Sequence, residues 1–196
     1  MATTTPSRPQ VWNLPNQLTA SRFVLALVLF GLIAAEQWLG CLIVFVVAAF
    51  TDWLDGYLAR KQNLTSTLGR ILDPLVDKVL MCGVYICLLP FGVEGKWLWP
   101  WMVTVVVARE LVITGLRSWM EAHGARFGAD WLGKFKMVLQ CAAVIAIFVA
   151  FLVPASSGMW NFFFVGARNI LIWAMVVVTL LSGLQYVWKA AMLLNV

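Results

Sequence analysis

Long apolar stretches, separated by short polar or charged segments, set the pattern of this chain. A membrane crossing needs about 20 mostly apolar residues. On that measure the charged and turn-forming positions divide the chain into six predicted membrane-spanning helices. We place them at Leu18–Ala35, Trp38–Ala59, Leu72–Leu89, Trp97–Leu116, Gly133–Val153 and Asn169–Trp188. The predicted fold class is therefore an all-α, polytopic membrane protein.

The segment before the first span has a different pattern. Pro15 suits a helix start, and Leu14 and Leu18 lie four residues apart on one helical face. This pattern predicts a short N-terminal interfacial helix that leads into the membrane. Residues 1–12 are polar and are expected to form a disordered cytoplasmic tail, so that residues 13–196 make a single membrane domain.

Composition and charge strengthen this interpretation and add an orientation. The chain has 196 residues, of which 62% are hydrophobic and 12% charged, against about 25% charged residues in a soluble domain. Lysine and arginine favour the cytoplasmic side. Twelve of them fall on the side that holds both termini: Arg8, Arg22, Arg60, Lys61, Arg70, Lys78, Arg109, Arg117, Arg126, Lys134, Lys136 and Lys189. Only Lys96 and Arg168 fall on the other side. Both termini are therefore predicted to be cytoplasmic, and we expect no nucleic-acid partner.

Four aspartates on the second and third predicted helices are the most informative residues. Asp52 and Asp55 are three residues apart and share a helical face, and Asp73 and Asp77 are four apart on the next helix. An ionised side chain at membrane depth costs roughly 2.5–3.5 kcal/mol on insertion scales, so something must offset four of them. Carboxylates without histidine or thiolate partners suit a hard cation such as Mg²⁺, Mn²⁺ or Ca²⁺.

The aspartates belong to a longer pattern, Asp-x-x-Asp-Gly-x-x-Ala-Arg, then eight residues, then Gly-x-x-x-Asp-x-x-x-Asp. It resembles the signature of the CDP-alcohol phosphotransferases. The resemblance implies a homodimer with two divalent ions, Mg²⁺ or Mn²⁺, and gives roles to eight positions. The metal ligands would be Asp52, Asp55, Asp73 and Asp77, with Asp77 also the general base for the acceptor hydroxyl. The CDP moiety would lie against Gly56, Ala59, Arg60 and Gly69.

Cations farther along the chain bear on the acceptor. Arg109, Arg117, Lys134 and Lys136 are predicted on the aspartate side of the membrane, and they suit an acceptor that carries a phosphate. The stretches around these residues, and the stretch from Asn13 to Arg22, look like those of bacterial phosphatidylglycerophosphate synthases. That resemblance implies sn-glycerol 3-phosphate as acceptor and CDP-diacylglycerol as donor, with phosphatidylglycerol phosphate and CMP as products, in the bacterial inner membrane.

Three alternatives stay open at this point. Inositol phosphate or another polar alcohol could be the acceptor in the same reaction. An intramembrane prenyltransferase also uses paired aspartate motifs and Mg²⁺, but its motifs are expected far apart in sequence. A divalent-cation transporter would place its carboxylates near the bilayer midplane on broken helices.

Overall fold

The computed structural model of this chain consists of six α-helices. The residues that it describes include no strand. The structure describes the backbone of residues 14–62, 67–122, 131–154, 156 and 158–194, and the side chains of residues 19–51, 75–120, 131–154, 156 and 158–192. The helices are α1 (Leu14–Ala34), α2 (Trp38–Gln62), α3 (Thr67–Glu94), α4 (Pro100–Ala122), α5 (Trp131–Leu152) and α6 (Met159–Leu194). The predicted tail at residues 1–12 lies outside the described residues.

Helix α1 differs from its prediction, because the expected interfacial helix is not a separate element. Leu14–Ala34 is one continuous helix. Thr19 and Arg22 are buried, and they continue the buried stripe of Ala26, Leu29 and Ile33 at spacings of three and four residues. Since the same face packs inward from residue 19 onward, the chain has no reason to break between an interfacial and a spanning part.

Helix α3 runs past the residues that were predicted to stop it. It continues through Pro90 to Glu94, and a proline is tolerated within a membrane helix when its surroundings satisfy the freed backbone groups. The chain turns beyond Glu94, where Lys96 has a φ of 57°. The carbonyl of Gly92 accepts hydrogen bonds from the backbone N–H of Trp97 at 3.0 Å and of Leu98 at 3.2 Å. This turn fixes the direction of α4, which begins at Pro100.

Helix α6 starts ten residues earlier than predicted. The prediction began after Arg168 because a charge usually ends a span. Arg168 is instead buried, with its guanidinium 4.5 Å from the Trp97 ring centroid and hydrogen bonds to the Asn169 side chain at 3.1 and 3.2 Å. A cation held against an aromatic ring in this way can lie within an apolar helix.

The helices pack so that three of the turns between them meet at one end of the bundle. Helix α1 packs against α2 and α3, α6 packs against α4 and α5, and contacts of α2 with α5 and of α3 with α4 join the two groups. Trp38 stacks on Phe151 at 4.1 Å between ring centroids and meets Phe91 edge-on at 5.0 Å. We call this the aromatic end. Arg22 and Asp77 lie toward the opposite end.

The outer surface of the bundle is apolar. Three stretches within the described residues are long and apolar enough to cross a membrane: Leu75–Glu94, Trp131–Leu152 and Met159–Met192. Thr19–Ala34 and Trp38–Thr51 are shorter apolar helices. Large side chains such as Phe50, Ile170 and Leu184 are more than half exposed. Soluble proteins rarely expose apolar surface on this scale, so the chain is an integral membrane protein with several apolar helices.

Candidate active site

A pocket between α1, α2, α3 and α5 contains the one predicted metal ligand whose side chain the structure describes, Asp77. Asp77 is half-buried and lies there with Arg22 from α1. Helix α2 supplies the small residues Ala48 and Ala49, and α5 supplies Met137 and Cys141. The pocket therefore has a carboxylate and a guanidinium among largely apolar walls, and ionisable groups in such a position in a membrane protein are usually functional.

The other predicted residues of the signature lie on helical backbone, but their side chains are outside the described residues. These are Asp52, Asp55, Gly56, Ala59, Arg60, Gly69 and Asp73. Position 52 follows the pocket residue Ala48 by one turn of α2, and position 73 precedes Asp77 by one turn of α3. The helical register thus places two signature positions one turn away from residues that line the pocket.

A divalent metal suits the oxygen donors that this pocket and its neighbouring helical turns offer. The carboxylate of Asp77 offers oxygen atoms of the type that Mg²⁺ and Mn²⁺ prefer as ligands, and Asp77 lines the pocket. Among the described side chains there is no group of three or more His, Cys, Asp or Glu residues that could hold a metal ion by itself. The other ligands predicted from the sequence, Asp52, Asp55 and Asp73, have side chains outside the described residues.

A second polar centre lies where α4, α5 and α6 meet, and Glu110 of α4 is its focus. The buried Lys136 of α5 forms a hydrogen-bonded ion pair with Glu110 Oε1, and Arg109 Nη1 lies 3.4 Å from the same oxygen. These three side chains are only 6–11% exposed. Among the described side chains, two cations share this one carboxylate, so the group of three carries a net positive charge.

Arg109 also contacts α6. Its Nη2 donates a hydrogen bond to Ser182 Oγ at 3.1 Å, and its guanidinium carbon lies 5.7 Å from the centre of the Tyr186 ring. Ser182 Oγ in turn donates to the backbone carbonyl of Thr179 at 3.0 Å. Arg109 is therefore held by one helical face of α6 as well as by its neighbour on α4.

The four cations predicted for an acceptor phosphate fall into two pairs. Arg109 and Lys136 are brought together at Glu110, whereas Arg117 and Lys134 have exposed side chains near the ends of α4 and α5. The assignment of all four cations to an acceptor phosphate stays a prediction. Arg109 and Lys136 are charged groups in a largely buried place, and such groups are common at functional sites.

Sequence reasoning gave no role to several polar residues that the structure places in these two centres. Arg22 was counted as a cytoplasmic charge and as the end of a stretch that resembles the family, without a place in the site, and Ser182 and Tyr186 were not singled out. A signal for the last two was present, because Thr179, Ser182, Tyr186 and Lys189 recur every three or four residues through an apolar helix. Polar residues on one face of a membrane helix mark a face that points into protein.

Comparison with known proteins shows the family of this chain. The family model described as CDP-alcohol phosphatidyltransferase matches residues 12–181. A protein of Bacillus subtilis (strain 168) named CDP-diacylglycerol–glycerol-3-phosphate 3-phosphatidyltransferase is 34% identical, over 91% of this chain and 95% of its own length. Proteins with that activity in their names from Sodalis glossinidius and from Arabidopsis thaliana chloroplasts and mitochondria are 34% and 29% identical. They match 69% and 93% of this chain, and 76% and 65% of their own lengths. This chain belongs to the CDP-alcohol phosphatidyltransferase family.

Proposed function

We propose that this enzyme transfers the phosphatidyl group of CDP-diacylglycerol to sn-glycerol 3-phosphate, giving phosphatidylglycerol phosphate and CMP. The acceptor hydroxyl attacks the lipid-side phosphorus, the bond from that phosphorus to the CMP oxygen breaks, and the hydroxyl proton leaves to a base. The observation that favours a phosphorylated acceptor is the pair of largely buried cations, Arg109 and Lys136, on the single carboxylate of Glu110. A neutral alcohol needs no such excess charge, whereas a phosphate does. The names of the relatives support the same acceptor.

The chemistry at the donor rests on the aspartate pocket. Asp52, Asp55, Asp73 and Asp77 would hold two divalent ions, Mg²⁺ or Mn²⁺, which supply charge stabilisation at the diphosphate. Asp77 is also the base that accepts the proton of the acceptor hydroxyl. Gly56, Ala59, Arg60 and Gly69 would bind the CDP moiety. The homodimer implied by the resemblance stays a prediction.

We also propose that the aspartate side faces the cytoplasm, since twelve of fourteen basic residues are assigned to that side. The test uses single cysteines at Thr65 or Lys96, introduced after the four native cysteines are replaced by alanine. A membrane-impermeant maleimide applied to intact cells should label position 96 and should reach position 65 only after the membrane is opened. Strong external labelling of position 65 would contradict the orientation.

Loss of an exposed cation at the proposed acceptor site should weaken the use of the acceptor. We expect Arg117→Ala or Lys134→Ala to raise KM for sn-glycerol 3-phosphate by about 10- to 150-fold, which corresponds to the roughly 1.5–3 kcal/mol of a charge-assisted hydrogen bond. KM for CDP-diacylglycerol should stay within about twofold. Lys96→Ala, which removes an exposed cation at the aromatic end, is the matched control. A rise confined to the donor KM would show that the pocket is wrongly assigned.

A further inference from the structure

We infer that one face of α6, formed by Ser182, Gly183 and Tyr186, positions Arg109 for the acceptor phosphate and so helps to set acceptor specificity. This inference rests on the proposed function and extends it to a helix that carries none of the signature residues. Ser182 and Tyr186 are positioning residues, because they contact Arg109 rather than a reacting atom.

The hydrogen-bonding pattern fixes one side of the guanidinium. Arginine only donates hydrogen bonds, so its partner must present a lone pair. The Ser182 hydroxyl gives its own proton to the Thr179 carbonyl at 3.0 Å and thereby turns its oxygen lone pairs toward Arg109 Nη2 at 3.1 Å. Ser182 is fully buried, so this orientation is shielded from competing water.

Packing fixes the rest of the side chain. The Tyr186 ring centroid lies 5.7 Å from the guanidinium carbon, within the distance of about 6 Å at which a cation is attracted to an aromatic face. At position 183 a side-chain Cβ would lie 3.3 Å from Arg109 Cγ, which is tighter than ordinary van der Waals contact. Glycine at this position therefore lets the Arg109 side chain lie directly against the α6 backbone.

The arrangement leaves part of the guanidinium for a ligand. Of its five N–H groups, one is directed at Glu110 and one at Ser182. The Nε atom is buried and has no hydrogen-bond partner among the described residues. A buried donor without an acceptor is costly, and a phosphate oxygen at this place would satisfy it. Arg109 thus keeps a buried N–H group for which an oxygen of a bound phosphate is a suitable acceptor.

The test is a double-mutant cycle on the full-length enzyme. Ser182→Ala should raise KM for sn-glycerol 3-phosphate by about 5-fold, which is in the range for one ordinary hydrogen bond, because Ser182 positions Arg109 and does not itself contact the phosphate. Its kcat and its KM for CDP-diacylglycerol should stay within about twofold. In an Arg109→Ala background the same serine substitution should have almost no further effect, because the group that it positions is gone. Gly183→Ala should raise the same KM, and Ser182→Thr, which keeps the hydroxyl, should retain more acceptor affinity than Ser182→Ala.

Thr104→Ala is the matched control, since the Thr104 hydroxyl donates a hydrogen bond to Pro100 O within its own helix at 2.9 Å. Independent, multiplying effects of Arg109→Ala and Ser182→Ala in an enzyme that uses sn-glycerol 3-phosphate would overturn the α6 inference alone. An increase in donor KM on Ser182→Ala would overturn it as well. A wild-type enzyme that uses only an unphosphorylated acceptor would overturn the proposed acceptor, and with it the role of Arg109.

Discussion

Replacing Asp52 with asparagine is expected to remove nearly all CMP release while leaving the protein folded in the membrane. Asparagine keeps the size of the side chain and most of its hydrogen bonding, but it removes the charge that would hold a divalent cation. Position 52 lies one turn beyond Ala48, which lines the pocket with Asp77. The same result is expected for Asp73→Asn, and both variants should lose metal-dependent thermal stabilisation.

Asp77→Asn should behave differently, because three carboxylates of the proposed metal site remain. We expect it to bind the CDP-lipid in the presence of metal, while turnover falls by the roughly 10²–10⁴-fold that a positioned base contributes. The measurement is CDP binding and CMP release on the same purified protein across a range of Mg²⁺ and Mn²⁺ concentrations.

Glu94→Gln is the matched control for these variants, since Glu94 is an exposed carboxylate at the aromatic end. It should keep wild-type activity and metal dependence. Near-normal turnover in Asp77→Asn would remove that residue from the base role. Near-normal turnover in Asp52→Asn would contradict the metal-cluster interpretation as a whole.

The second large effect is expected on stability, from Glu110→Ala. This change leaves Lys136 buried without its carboxylate partner and removes a nearby negative charge from Arg109. Breaking a buried ion pair by removing one partner typically costs about 3–5 kcal/mol. We therefore expect a clearly lower unfolding temperature in detergent, and a loss of acceptor use that exceeds the loss of donor binding.

A paired substitution separates stability from function at this centre. Glu110→Gln combined with Lys136→Met removes both charges, and replacing a buried pair by neutral groups is often close to neutral for stability. The double variant should recover much of the unfolding temperature but should still use sn-glycerol 3-phosphate poorly. Glu36→Gln, at an exposed turn residue, is the control. Wild-type stability in Glu110→Ala would show that the ion pair does not hold α4 to α5.

The sequence predicted the all-α class and six long helices correctly, because apolar length and charge position are local properties. Among the described residues, three of these helices contain a stretch long and apolar enough to cross a membrane. It predicted element ends less well where a tertiary contact decides them. Arg168 does not end a helix, because Trp97 and Asn169 accommodate its charge, and Pro90 does not end α3. Arg22 similarly belongs to the buried face of α1, which joins the expected interfacial segment to the spanning helix.

For the candidate site too, the sequence predicts short-range features and misses those that depend on long-range contacts. The aspartate spacing is a short-range pattern, so the sequence alone indicates a hard-cation site on α2 and α3. Which cations come together is a long-range property. Nothing in the spacing of Arg109, Lys136 and Ser182 along the chain shows that α4, α5 and α6 bring them to one point. The sharing of Glu110 by two cations therefore required the structure.

The most direct test of the central proposal is the reaction of the purified wild-type protein with CDP-diacylglycerol, Mg²⁺ or Mn²⁺ and a panel of acceptors. The panel should contain sn-glycerol 3-phosphate, glycerol, inositol phosphate and serine, with CMP release and lipid product measured together. We expect metal-dependent CMP release with sn-glycerol 3-phosphate, matched mole for mole by phosphatidylglycerol phosphate, and little product from the other acceptors. Preferred turnover of inositol phosphate, or of glycerol or serine, would contradict the proposed acceptor. A lack of CMP release with every acceptor, from folded protein supplied with metal, would contradict the proposed reaction itself.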